Sequence, residues 1–193
     1  MNLFFKKTKK ARRSNGGFTL VETLVAISIL SLAISGTFTA VQNGLKSSTF
    51  ARDQITGFYL AQEAMEYIKN IRDENTLYSI NAISTGGVGK NWLAGMSDAP
   101  GDPCYFGKTC TIDSFLKIMA TCSGGFDSCD NLRQDSVTGL FGYTGSWPVT
   151  NFKREIQFQS ISANEVMVTI HISWVSGSFS KSFQVSQIIF NRQ

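Results

Sequence analysis

The chain has 193 residues, 42% of them hydrophobic and 17% charged, with a formal net charge of +4. The first 17 residues hold six of the 18 lysines and arginines and none of the 14 acids, so 12 basic side chains face 14 acidic ones in the rest. The sequence pI of 8.9 is therefore a property of one end, and no basic patch remains elsewhere to support nucleic-acid binding.

Those six cations are Lys6, Lys7, Lys9, Lys10, Arg12 and Arg13. They precede an apolar run from Phe18 to Val41 in which Glu22 is the only charge. As a helix this run would be ~36 Å long, enough to cross a hydrocarbon core of about 30 Å. Positive residues beside such a segment stay in the cytoplasm, which sends everything after Val41 outside. A carboxylate within the segment is costly unless paired, so Glu22 is a functional candidate, and the partner expected for it is an amine. Two simpler readings compete. A secretory signal cleaved near Ala33-Ile34-Ser35 leaves the apolar run through Phe38, Ala40 and Val41 unexplained. A plain single-pass anchor lets Glu22 snorkel to the headgroups one turn away.

No proline appears before Pro100. Ile55, Phe58, Tyr59, Ala61, Met65, Ile68 and Ile71 recur at three- and four-residue spacing, with Arg52, Asp53, Gln62, Glu63, Glu66, Lys69 and Arg72 on the other side. One helix is predicted from Phe18 to about Asn75, ~87 Å if unbroken, with Gly36, Gly44 and Gly57 as local weak points. From 76 to 150 the glycine- and proline-rich stretches read as loops, with one short helical piece at Ser114 to Ala120. Such loops are where partner specificity is expected.

Residues 151–193 alternate as strands. Ile156 and Phe158 oppose Glu155, Gln157 and Gln159; Val166, Val168, Ile170, Ile172 and Trp174 oppose Met167, Thr169, His171 and Ser173; Phe183 and Val185 repeat the period. Ser162-Ala163-Asn164 and Ser176-Gly177-Ser178 suit hairpin turns, so three antiparallel strands should place their apolar face on the helix.

Cys104, Cys110, Cys122 and Cys129 all fall in the loop region, and an extracytoplasmic setting makes disulfides the leading reading. Proximity along the chain favours Cys104 with Cys110 and Cys122 with Cys129, while crossed and nested pairings stay open. The spacings do not match a structural zinc site, and Asp127, Asp130 and Asp135 lack the spacing of a calcium loop, so no metal is assigned. His171, the only histidine, is expected on an outward strand face without a nucleophile or carboxylate beside it. No enzyme activity and no cofactor are expected, because no acid, base and nucleophile converge in any motif.

Gly16-Gly17-Phe18-Thr19-Leu20-Val21-Glu22, behind a basic leader and ahead of a long apolar helix, resembles the start of type IV pilin and pseudopilin precursors. The resemblance implies that a prepilin peptidase cuts between Gly17 and Phe18 and methylates the new amine of Phe18. It also implies that Glu22 meets the Phe18 amine of a neighbouring subunit during assembly. The partners so implied are the peptidase, other pilins or pseudopilins, an inner-membrane assembly platform and membrane lipid. Thr39, Ala40 and Val41 stand where many major pilins carry a proline, and Leu60 to Asp73 looks like the minor-pilin class called PilV-like. The expectation is an α+β, pilin-like fold: leader 1–17, membrane and assembly helix 18–41, amphipathic continuation 42–75, cysteine-bearing loops 76–150 and antiparallel strands 151–193. Its expected role is that of a minor filament subunit, first in the cytoplasmic membrane and then in a pilus or pseudopilus. A type II secretion or DNA-uptake pseudopilin, and an anchored binding domain that does not polymerise, are the alternatives.

Overall fold

A computed structural model of the chain describes residues 16–177 and 179–191. The leader cations Lys6, Lys7, Lys9, Lys10, Arg12 and Arg13, and the turn residue Ser178, lie outside the described residues. One helix, α1 (Leu20–Ser84), precedes seven strands: β1 (Thr109–Asp113), β2 (Ile118–Thr121), β3 (Arg133–Gln134), β4 (Phe141–Gly142), β5 (Phe152–Ser162), β6 (Glu165–Ser176) and β7 (Phe179–Phe190). The chain divides into two compact units, Met1–Ser48 and Thr49–Gln193.

In the first unit every described residue is exposed. The hydroxyls of Thr23, Ser28, Ser35, Thr37 and Thr39 donate to carbonyls three or four residues earlier in α1. Each therefore satisfies itself within the helix, which lets an otherwise apolar segment carry hydroxyls without needing water.

The second unit is built on a five-stranded sheet of order β2-β1-β5-β6-β7, with antiparallel neighbours throughout, and a small β3-β4 pair. The three predicted strands are β5, β6 and β7, and the turns between them fall where expected. Gly177 supplies the β6–β7 turn with a positive φ of 64°, a conformation that a side chain resists. Leu60, Ala61, Ala64, Met65 and Ile68 of α1 bury against Ile156, Phe158, Val166, Val168, Ile170 and Ile172 of the sheet. Each of the larger side chains contributes about 1.5–3 kcal/mol by leaving water.

The buried stripe is rotated from the predicted one. Ile55, Phe58 and Tyr59 are exposed, while Asp53, Gly57 and Arg72 are buried. The cause is local: a Cβ on Gly57 would lie 3.0 Å from the Phe183 ring and 3.3 Å from Ile172, so the sheet approaches the helix where the side chain is missing. Arg72 enters the interface with its guanidinium 2.7 Å from Asp73. The helix also runs nine residues past Asn75, because a loop folds back on its polar end. Asn75 donates to the carbonyls of Trp92 and Ala94, and Ser79 bonds both the carbonyl and the amide of Lys90.

The helical piece expected at Ser114 to Ala120 is a hairpin instead. Asp113 accepts the Leu116 amide and Lys117 takes a φ of 56°, so the chain turns tightly and returns as β2. Its apolar residues imitate helical spacing only because the turn interrupts them.

Arg154 locks the layers together. Wholly buried, it donates to the carbonyls of Leu60 in α1 and Ile112 in β1 and lies 2.9 Å from a Glu63 carboxylate oxygen. Glu63 also accepts the Ser114 hydroxyl. Arg154→Ala should destabilise the domain by about 3–5 kcal/mol, since it strands the groups that the guanidinium satisfies. Arg154→Met, which refills the volume without charge, should lose clearly less when both are compared by urea unfolding of the detergent-solubilised chain.

Candidate functional site

Phe18 is 80% exposed, and Gly16 and Gly17 have nothing within 4 Å of where a side chain would begin. A processing enzyme would meet open backbone at this bond. The helix starts just after it: the Thr19 hydroxyl oxygen accepts the Glu22 amide at 3.2 Å, which makes Thr19 the N-cap and Glu22 the third residue of a Thr-x-x-Glu capping arrangement. The carboxylate of Glu22 thus stands in the first turn, where the helix dipole favours negative charge. Among the described residues Glu22 makes no ion pair. Thr19 was readable as a cap from its spacing to Glu22, a signal that the apolar run conceals.

From here α1 is long and apolar enough to cross a membrane. Leu20, Leu24, Ile27, Leu30, Ile34, Phe38 and Val41 are between 57% and 75% exposed, a surface that water does not tolerate and that some other apolar material must cover. A family model for the prokaryotic N-terminal methylation motif matches residues 12–38. The N-terminal segment carries the prokaryotic N-terminal methylation motif. Gly17, Phe18, Thr19 and Glu22 all lie inside the match. No curated protein and no solved structure matches the chain.

In the folded unit the four cysteines pair as Cys104–Cys110 and Cys122–Cys129, the pairing that proximity favoured. The first bridge is in the core and ties the loop before β1 to that strand. The second closes a loop that lies on the sheet face opposite α1. Glu155 holds it there: wholly buried, its carboxylate accepts the amides of Asp127 at 2.6 Å and Cys129 at 2.9 Å. His171 is not outward-facing, because the same loop covers it. Its Nδ1 lies 3.2 Å from Glu155 Oε2, and the Phe126 ring lies 4.8 Å from the imidazole, centroid to centroid. Ser173 donates to Asp127.

Asp127, Glu155 and His171 bring ligand-type atoms within 4.8 Å of one another, whereas Asp135 serves its own turn by accepting the Thr138 hydroxyl and the Val137 amide. The carboxylate of Glu155 is already filled by N–H donors, so the cluster acts as a clamp on the disulfide loop. Sequence alternation put Glu155 and His171 on the outward faces of their strands with no carboxylate expected beside the imidazole; the structure brings the two together because the second face of the sheet is covered. Glu155→Gln should cost about 1.5–3 kcal/mol, the worth of hydrogen bonds to a charged group. Hydrogen exchange should speed up at the Asp127 and Cys129 amides while α1 stays protected.

Beside this clamp, β1, β2 and the Cys122–Cys129 bridge line a recess of about 420 Å³ that includes Asp113, Asp130 and Tyr143. Asp113 accepts the Tyr143 amide at 2.7 Å, and the Tyr143 hydroxyl bonds Thr111. Burial pushes the Tyr143 hydroxyl above its ordinary value of about 10, with Glu155 and Asp130 adding to the effect and Thr111 and Arg154 opposing it. A raised value in the folded state means that the neutral form is favoured there. Stability is then whole below about pH 10 and declines as pH rises through the folded value. Tyr143→Phe should flatten that alkaline decline in thermal melts, with no change in slope near neutrality.

Proposed function

We propose that the chain is a minor subunit of a type IV pilus or pseudopilus filament, cut between Gly17 and Phe18 and methylated on the Phe18 amine. The observation that carries the reading is one continuous stretch: the methylation motif at 12–38 opens a helix whose residues stay exposed as far as Arg52. Lipid covers that surface before assembly and neighbouring helices cover it afterwards, both being apolar. Residues 1–17 act as the leader and 18–41 as the membrane and assembly segment.

Glu22 fits the transition between these two states. Its cap role satisfies the backbone of the first turn but leaves the negative charge without a cation. The methylated amine of Phe18 on the next subunit supplies one, and in a low-dielectric setting that attraction is strong while either charge alone pays several kcal/mol of desolvation. The two disulfides suit an oxidising compartment, in agreement with a cytoplasmic leader and an exported domain. Lack of proline before Pro100 supports the minor-subunit reading over the major one.

Two substitutions separate the parts played by Glu22. Glu22→Gln keeps the reach needed for capping and loses the charge, whereas Thr19→Ala removes the cap and keeps the charge. Glu22→Gln is expected to leave membrane insertion and the disulfide-bonded domain intact while cutting incorporation into isolated fibres at least about tenfold, as loss of a pair worth more than 1.4 kcal/mol requires. Thr19→Ala should weaken incorporation much less. Edman degradation of the fibre subunit should begin at residue 18; a product that still carries residues 1–17 would refute the assignment.

A further inference from the structure

The recess beside the disulfide clamp has a defined floor and walls. In the β1–β2 register Thr111 pairs with Ala120 and Asp113 with Ile118, so these four side chains share one face of the sheet. It is the face away from Cys110 and Ile112, which belong to the core under α1. The Cys122–Cys129 loop and Tyr143, the residue after β4, wall this floor and leave about 420 Å³ between them.

The charge of the recess is entirely negative. Asp113 and Asp130 line it, and no lysine, arginine or histidine does. Asp113 is only 4% exposed, yet among the described residues it forms no ion pair. Each of its oxygens accepts one amide, Leu116 at 2.8 Å and Tyr143 at 2.7 Å, which orients the carboxylate without neutralising it. Asp130 is exposed and accepts no hydrogen bond from the described residues. The cations nearby are engaged elsewhere: Arg154 on the opposite face with Glu63 and two carbonyls, and Lys153 with the Asp127 carbonyl. A buried carboxylate without a cation is costly, and a cation arriving from outside relieves that cost.

The rest of the lining selects the kind of cation. Leu116, Ile118 and Ala120 offer apolar surface for a methylene stem, while the hydroxyls of Thr121, Ser123 and Ser128 add acceptor oxygens around the two carboxylates. An ammonium has three N–H donors to distribute among scattered acceptors of this kind. A guanidinium fits less well, because its planar fork wants both oxygens of one carboxylate together and each Asp113 oxygen already holds an amide.

Strand β2 supplies a place for the chain that carries the ammonium. It is the outermost strand of its sheet, and no described backbone group outside the sheet bonds to it. Its residues Ile118-Met119-Ala120-Thr121 include no charge and no proline to blunt the edge. An extended segment laid along such an edge gains main-chain hydrogen bonds and turns every second side chain toward the face that holds Ile118 and Ala120.

We propose that this recess binds the side chain of a lysine carried on an extended segment of a partner protein, which adds to the sheet along β2. The ammonium sits between Asp113 and Asp130, and its stem lies over Ile118 and Ala120. The site is contained in the folded unit and does not depend on the filament reading.

The test is a titration of the isotope-labelled, detergent-solubilised full-length protein with the peptide acetyl-Val-Thr-Lys-Thr-Val-amide, followed by amide chemical shifts. Saturable shifts are expected at Ala120, Thr121, Ser123, Asp130 and Tyr143, with α1 unmoved. Norleucine in place of the lysine should bind about tenfold more weakly or worse, the factor expected for losing a hydrogen bond to a charged group. Asp130 holds no internal bond, so its variants should keep the fold: Asp130→Asn should weaken the lysine peptide by about fivefold, as loss of one exposed ion pair requires, and Asp130→Lys should abolish binding. Equal binding of the norleucine peptide, or tighter binding of an arginine peptide, overturns the assignment of lysine. Pentylamine binding as tightly as the peptide removes the strand addition and overturns the proposal, as does the absence of saturable shifts at these amides.

Discussion

Two consecutive buried charges on β5 organise the folded unit. Because neighbouring residues of a strand point to opposite faces, Arg154 reaches α1 and β1 while Glu155 reaches the Cys122–Cys129 loop and His171. One strand thus fastens a helix to one side and a disulfide loop to the other. A buried charge tolerates little freedom, since it must keep several hydrogen bonds at once, and so each of these two groups selects a single placement for what it binds. The apolar core would accept many rotations of the helix; the carbonyls of Leu60 and Ile112 and the carboxylate of Glu63 accept Arg154 in one.

The same constraint explains why the buried stripe departs from hydrophobic periodicity. An ion-pairing residue such as Glu63 must lie at the margin of the interface, half in water, for its carboxylate to reach Arg154. Gly57 then sits where the sheet comes nearest, and Phe58 is displaced outward to stack with Phe183 at 4.6 Å between centroids. A count of apolar residues at helical spacing favours Phe58 and Tyr59 over Gly57. Packing favours Gly57, because the space that the missing side chain leaves is filled by Phe183 and Ile172.

Legibility followed the range of the interactions. The apolar segment, the three long strands and the nearest-neighbour disulfides all rest on local pattern, and they were visible in the residues themselves. The end of α1 was not: Asn75 and Ser79 look like the polar margin of a helix until Trp92 and Lys90 return to meet them from more than ten residues away. The burial of His171 was hidden for a similar reason. Alternation along β6 correctly separates its two faces, but which face meets solvent depends on a loop some 45 residues earlier in the chain. The first residues after Gly17 illustrate the opposite difficulty, for Thr19 and Glu22 carry a local capping role in one short motif and, on the proposed reading, a charge meant for another subunit.

These features together separate folding from assembly. The core, the buried charges and both disulfides belong to Thr49–Gln193, and burial in α1 begins at Asp53. The described residues of the first unit are exposed, and the hydroxyls of Thr23, Ser28, Ser35, Thr37 and Thr39 are satisfied within the helix while its apolar surface is not covered. In the proposed function such a segment exchanges one apolar covering for another, so its transfer from lipid to a bundle of like helices would be governed by the balance between two similar environments. A balance that close is tipped by a single strong local term. On the reading proposed above Glu22 would supply that term, because the cost of its charge in an apolar setting depends on whether a cation arrives beside it.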